Sequence, residues 1–432
     1  MSKPRRRKQK KQVKPELKLR QFAATELSDQ LAALPCAADL PRFMVDTVAG
    51  AYAPADAELM IEGFGAAVTR PVTLRANTLK ATAEDIAAAL DEAGIAHQPV
   101  AWYRDAFILP EAQVSDLWDL DIYRDGKIYL QSLSSMMPPL VLGAQAGEDI
   151  LDMCAAPGGK TTQIAALTQG QAHLTACEMS IPRAEKLESN LHRQGAKNVP
   201  VMRIDARELD EFFRFDRILL DAPCTGTGTV ISGNEKSLRG LTEQLLGKCA
   251  RSQRALLDRA MGALKPGGTL VYSTCSILPQ ENEDALQEAL DKHMDCELIP
   301  LNGTPSESEA RRAQEAGEEP RIECNALTEA IAAGHVSAVA NGLSGTLTIP
   351  PSREFEGFYI ARTDQKLNKL SPCAFALLVT MLFKRFTLLA LSPFALNGRD
   401  HKVDDRGGND CAHTQANRAQ HCCQFHTASP LF

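Results

Sequence analysis

The apolar positions divide the chain into stretches of different period. From Phe22 to about Gly65 they recur at helical spacing, with Leu27, Leu31 and Leu34 on one stripe and Pro35 and Pro41 as punctuation. From Arg70 to about Asp121 the pattern shortens to strand, helix and short strands. Val72, Thr73 and Leu74 alternate, Thr82 and Asp85 form a capping box, Ile86 and Leu90 share a face, and Gly94 closes the helix. Residues 128–134 then lead into a helix ending near Gly143. Beyond it, strands at 149–154, 173–177, 199–204, 216–220 and 269–273 alternate with helices at 161–168, 181–194 and 242–264. Such regular alternation predicts a doubly wound parallel sheet. A polar, Ala/Glu-rich insert at 300–345 precedes a last strand at 355–361, expected to complete the sheet as its antiparallel edge.

The stretch Asp149–Thr162, DILDMCAAPGGKTT, is a strand running into a glycine-bearing turn and a helix start. That arrangement cradles nucleotide-like ligands. A triphosphate would suit Gly159-Lys160-Thr161, but the first glycine of a phosphate loop is replaced by Cys154, and Pro157 removes an N–H from the turn. A dinucleotide would need G-x-G-x-x-G, which is absent. S-adenosylmethionine needs no pyrophosphate cradle and suits a loop poorer in glycine; Glu178, at the end of the next strand, stands where an acid would hold ribose hydroxyls. An ordinary strand-turn-helix is not rejected by the glycines alone.

In doubly wound sheets ligands bind beyond the carboxyl ends of the strands. Cys154, Glu178, Asp205, Asp221, Cys224 and Cys275 all fall there. A cysteine at one strand end is usually a small buried hydrophobe. Two on neighbouring loops, in Asp221-Ala222-Pro223-Cys224 and Ser273-Thr274-Cys275, beside an acid and a methyl donor, favour a catalytic reading. The spacing gives no four-ligand zinc set.

Charge changes the picture at the N-terminus. Residues 1–20 hold ten Lys or Arg and one acid, a net +9, so the total of -7 leaves -16 for the rest. A basic arm of this kind suits a nucleic-acid backbone, although a solubilising or targeting tail has the same composition. Twelve cysteines without a CxxC pair suggest reduced intracellular thiols, and hence a cytoplasmic protein, or a nuclear or nucleolar one in a eukaryote. Arg75, Asn77, Trp102 and Tyr103 are candidate RNA contacts. The organisation expected is a basic arm (1–20), a helical segment (21–69), a small α+β domain (70–125), a catalytic domain (126–363) and a tail (364–432). The tail's apolar runs at 373–383 and 386–396 are too short to span a bilayer, and its His and Cys residues match no metal pattern.

Taken together, CAAPGGKTT at 154–162, Glu178, Asp205, DAPCTGTG at 221–228, YSTCS at 272–276 and Glu356–Ala361 resemble the Sun/Fmu-type RNA 5-methylcytosine methyltransferases. The resemblance covers about 70–363. It implies a mostly parallel, seven-stranded Rossmann-like methyltransferase sheet with a small N-terminal α+β, RRM-like domain, S-adenosylmethionine as methyl donor and rRNA or tRNA as substrate, with no membrane and no obligate protein partner. By the same resemblance Cys154, Ala155, Ala156, Pro157, Gly158, Gly159 and Lys160 wrap the donor's methionine end, Glu178 holds its ribose and Asp205 lies near its adenine. Asp221 faces the target base, Cys275 is the nucleophile and Cys224 assists release. The loop 229–240 lacks the arginine-proline element expected of the family. A P-loop-like ATPase using Lys160 and Asp221, and an RNA-binding assembly factor without turnover, are the competing readings.

Overall fold

A computed structural model of the chain describes residues 15–316 and 326–366. The first fourteen residues of the expected arm, and the tail from 367 with its apolar runs and metal-ligand types, lie outside the described residues. Three helices come first, α1 (Pro15–Ala32), α2 (Arg42–Ala51) and α3 (Pro54–Ala66). Leu31, with Leu27 and Leu34, packs on Met44, Val48, Met60 and Phe64, as the stripe predicts. The same cluster includes Val230, Ile277 and Leu278, so these helices cover the loops that follow the central strands.

The small domain contains β1 (Val72–Ala76), α4 (Ala83–Glu92), β2 (Gln98–Val100), β3 (Tyr103–Leu109), α5 (Val114–Trp118), α6 (Asp121–Arg124) and β4 (Ile128–Leu130). Its strands form an antiparallel sheet in the order β2-β3-β1-β4. The Thr82/Asp85 capping box is present, and Ile86 and Leu90 pack on Leu74, Phe107 and Leu109. β4 departs from the expected boundary at 125. Three apolar residues carry no period that assigns them, and β4 pairs with β1 rather than joining the catalytic domain.

The second part runs through α7 (Leu133–Leu142), β5 (Asp149–Asp152), α8 (Gly159–Leu167), β6 (His173–Cys177), α9 (Ile181–Gln194), β7 (Val201–Met202), β8 (Phe215–Asp221), α10 (Glu235–Leu238), α11 (Glu243–Gly262), β9 (Leu264–Thr274), α12 (Glu283–Lys292), β10 (Cys296–Ile299), α13 (Glu307–Ala316), α14 (Ala326–Ala332), β11 (Leu347–Ile349) and β12 (Phe358–Gln365). Its sheet follows the order β10-β12-β9-β8-β5-β6-β7, with β11 added on β12. β5 to β9 pair in parallel, and β10, β11 and β12 pair antiparallel. The expected edge strand is therefore internal: β12 lies between β9 and β10. The sequence pattern missed β10 and β11, each only a few residues long within or beside the polar insert, and that insert also contributes Leu327 and Ala330 to a core.

Both faces of this sheet are covered, so its strands are continuous apolar runs without alternation. Ile150, Ala176, Leu219, Val271 and Ile360 face α7, α8 and α9, while Leu151, Cys177, Ile218, Leu220, Leu270 and Tyr272 face α11 and α12. The strand order reverses between β5 and β8, which places a crevice beyond their carboxyl ends.

Candidate active site at the switch point of the sheet

The loop after β5 is held by its neighbours. Met153 N–H donates to Leu219 O and Ala155 N–H to Cys177 O, both at 2.9 Å. Side-chain donors take its carbonyls: Arg183 on Ala156 O at 2.8 Å, Asn190 on Pro157 O at 2.7 Å and Arg75 on Gly159 O at 2.9 Å. The Ala156–Pro157 bond is cis. Gly158 has φ +105°, a backbone conformation that favours glycine. α8 starts at Gly159, and its first-turn N–H groups have no carbonyl partner one turn back. Thr161 Oγ1 donates to Asp152 Oδ2 at 2.6 Å, and burial pushes the Asp152 carboxyl up to about 6.

This loop borders two cavities, both lined by Cys154. The larger, about 460 Å³, is also lined by Ala155, Ala156, Pro157, Gly159, Lys160, Asp152, Asp221, Cys275, Glu356 and Phe358. The smaller, about 60 Å³, holds Glu178 and Asp205. Glu178 is buried; its Oε1 accepts from Ser180 N–H at 2.8 Å, and Arg183 lies 3.3 Å from Oε2. Asp205 caps a short turn by accepting from Arg207 N–H at 3.0 Å. The paired cavities, the glycine cradle and a buried acid on the second strand fit the elongated, amphipathic S-adenosylmethionine. Cys154 itself is an unreactive wall, because burial, with three acids nearby, holds its thiol well above the ordinary range.

The reactive corner lies at the ends of β8 and β9. Cys224 Sγ is 3.1 Å from Cys275 Sγ, with no disulfide between them. The hydrogen bond to Cys275, reinforced by burial, drives the Cys224 thiol well above its usual range. Lys160 Nζ donates to Asp221 Oδ2 and to Ser135 Oγ, both at 2.7 Å, and Ser273 Oγ donates to Asp221 Oδ1 at 2.8 Å. Burial opposes the Lys160 charge, but the Asp221 carboxylate outweighs it and holds the ammonium above the usual lysine range. Lys160, on the loop expected around the donor, also faces Asp221 and lies 5.5 Å above the Phe358 ring.

Backbone bonds fix the corner. Gly228 N–H donates to Cys275 O at 2.9 Å and Gly357 N–H to Gly228 O at 2.8 Å. The two glycines touch: a Cβ on Gly228 would stand 1.9 Å from Gly357 O. The structure thus brings together Cys154 to Lys160, Asp221, Cys224 and Cys275, and places Glu178 and Asp205 in the adjoining cavity.

Of the candidate RNA contacts, Arg75 and Asn77 are fully buried. Arg75 bridges Gln131 Oε1, Gly159 O and Thr162 Oγ1, and Asn77 bridges Gly126 O and Gln194 O, so both join the small domain to the catalytic one. Tyr103 is buried, and Trp102 stacks between Tyr103 and Phe355. Sequence reasoning missed Ser135, Asp152, Ser273 and Glu356. Asp152 sits at a strand end like the acids that were found; Ser135 belongs to α7 and carries no local signal.

The chain resembles known proteins in the same parts. It is 40% identical over 249 residues to ribosomal RNA small subunit methyltransferase F of Aeromonas salmonicida, covering 56% of this chain and 52% of that one. It is 39% identical over 239 residues to the 28S rRNA (cytosine-C(5))-methyltransferase of Mus musculus, covering 54% and 30%. The chain spans about half the length, or less, of these curated relatives. A crystal structure of a methyltransferase homologue from Pyrococcus horikoshii superposes with a TM-score of 0.59 at 28% identity, covering 82% of this chain and all of that one. Residues 40–115 match the ferredoxin-like domain of the RsmF/B-like methyltransferases. Residues 139–364 match the family described as 16S rRNA methyltransferase RsmB/F, and the chain belongs to that family.

Proposed function

We propose that this chain methylates carbon 5 of cytosine in RNA, with S-adenosylmethionine as donor. The names of its relatives favour rRNA over tRNA as substrate. The observation that carries the reading is the contact between Cys224 and Cys275 beside the Lys160–Asp221 pair. Carbon 5 of cytosine is too weakly nucleophilic to take a methyl group unaided. Cys275, with Cys224 Sγ 3.1 Å from its sulfur, is the thiolate that bonds to ring carbon 6. As that bond forms, the ring's electrons move towards nitrogen 3, where the Lys160–Asp221 pair supplies a proton or neutralises the charge. When bound, S-adenosylmethionine supplies the methyl group that carbon 5 then takes. The hydrogen on carbon 5 passes as a proton to solvent, its bonding pair forms the carbon 5–carbon 6 double bond, and the carbon 6–sulfur bond breaks to regenerate the Cys275 thiolate. Cys224, within hydrogen-bonding distance, supports that departing sulfur.

The target base must leave its stack to be attacked, so single-stranded or extruded RNA is the substrate form. An ATPase reading is disfavoured because Lys160 is engaged by Asp221 and Ser135 rather than by a phosphate-binding loop. Incubation with methyl-labelled S-adenosylmethionine and rRNA, followed by nucleoside mass spectrometry, tests the proposal. Label must appear in 5-methylcytidine; label absent, or present on another nucleoside, rejects it.

A further inference from the structure

Glu281 is a carboxylate buried to 0% exposure directly behind the thiol pair. It ends the short helical turn Pro279–Glu281. Its Oε1 accepts from Thr225 N–H at 2.8 Å, its Oε2 from Thr225 Oγ1 at 2.5 Å, and Gln253 Nε2 lies 3.4 Å from Oε1. The same Gln253 amide donates to Pro223 O at 2.9 Å. The backbone is therefore gripped on both sides of Cys224, at the carbonyl before it and the amide after it.

Thr225 N–H, Thr225 Oγ1 and Gln253 Nε2 all donate to Glu281, so the carboxylate serves as their acceptor. The other titratable groups around the thiols are Lys160 and Asp221 on the cavity side, Tyr272 on β9 and Cys249 on α11. Among these groups, Glu281 is the one bonded to Cys224's own turn.

We propose that Glu281 is a positioning residue that clamps the Pro223–Thr225 turn and, by its buried negative charge, fixes the shared proton on Cys224, leaving Cys275 as the thiolate. The proposal rests on the roles assigned to the two cysteines. Two effects are involved. The clamp sets the 3.1 Å sulfur contact, and an anion behind one sulfur disfavours a second anion on it. The Cys224 shift agrees: after the Cys275 hydrogen bond and burial, Glu281 is among the groups that raise it. Burial also raises the Glu281 carboxyl, against which its Thr225 and Gln253 donors work.

Two variants separate charge from clamp. Glu281→Gln keeps an acceptor for Thr225 N–H and loses the charge; Glu281→Asp keeps the charge and withdraws it from Thr225. The full-length protein, kept reduced, is alkylated with iodoacetamide across a pH series, and labelling of the Cys224 and Cys275 peptides is quantified by mass spectrometry. Circular dichroism and S-adenosylmethionine binding monitor folding. In the parent, Cys275 labels at lower pH than Cys224. Glu281→Gln lowers the Cys224 midpoint by on the order of one pH unit, and Glu281→Asp leaves it within a few tenths of the parent. Equal shifts in both variants, or no shift in Gln with the fold intact, overturn the proposal. Failure of the cysteine roles shows separately, as Cys275→Ala protein that still bonds to RNA.

Discussion

Cys224 and Cys275 lie on the loops after β8 and β9, and their sulfurs are 3.1 Å apart. With Cys275 proposed as nucleophile and Cys224 as its helper in release, their alanine variants must fail at different steps. Cys275→Ala neither methylates RNA nor bonds to it. Cys224→Ala transfers the methyl group and then stalls, leaving a protein–RNA species on denaturing gels that the double variant lacks. Exchanged phenotypes would exchange the roles, and two active variants without adduct would end the covalent reading.

Glu178 stands where the donor's ribose is expected. Glu178→Ala weakens S-adenosylmethionine by about tenfold or more in calorimetry, the scale of one lost charged hydrogen bond, and ATP gives no heat. Unchanged donor affinity would remove Glu178 from the ribose, and competition by ATP would revive the triphosphate reading.

The first fourteen residues hold eight Lys or Arg and no acid. Deleting them weakens RNA binding and flattens its dependence on salt, while turnover at saturating RNA persists. Filter binding between about 50 and 200 mM salt reads the slope; an unchanged slope means the segment touches no phosphates.

Glu283 gives a pH signature of its own. Its side chain is buried, no donor among the described residues reaches Oε2, and burial raises its carboxyl from 4.5 to about 7. Between those values the folded chain holds a proton that the unfolded chain has released, so this group's contribution to stability is present at low pH and is lost as pH rises through about 7. Glu283→Gln should therefore gain stability relative to the parent between pH 5 and 8, with a ceiling of roughly 3 kcal/mol. Paired urea titrations at the two pH values measure it; parallel pH profiles would show that the site takes in water.

Arg75→Met leaves Gln131 Oε1, Gly159 O and Thr162 Oγ1 without their guanidinium. Gly159 O keeps the 3.1 Å bond from Thr162 Oγ1, which itself also bonds to Gly158 O, so the loss falls on Gln131 Oε1 at about 1–3 kcal/mol, and the melting temperature falls by about 2–5 °C. Donor affinity falls with it, because Gly159 belongs to the donor loop. A variant that melts lower but binds the donor normally would confine Arg75 to packing.

The sheet was legible because its strands are long apolar runs, and their ends marked the site without any knowledge of contacts. Short elements were not: β4, β10 and β11 are a few residues each, and only pairing reveals them. The same limit applies to side chains. Cys224 and Cys275 announce themselves through their turns, whereas Arg75 looks in sequence like any arginine on an RNA-binding strand. Its burial follows from the approach of α8, which no local pattern encodes. Lys160 was found on the right loop, but its reach to Asp221 depends on β8 lying beside β5.

The Arg75 bridge also bears on how such a chain can be recombined. Grafting a relative's ferredoxin-like region onto this sheet changes more than the outer surface of the small domain, because the graft must bring a guanidinium that meets Gly159 O and Thr162 Oγ1, and an amide like Asn77 that meets Gln194 O. A cut at residue 125 would also separate β4 from its partner strand. The unit that can be exchanged intact is the small domain together with α8 and the C-terminal end of α9, so a chimera drawn along sequence boundaries inherits a loosened donor loop along with its new specificity.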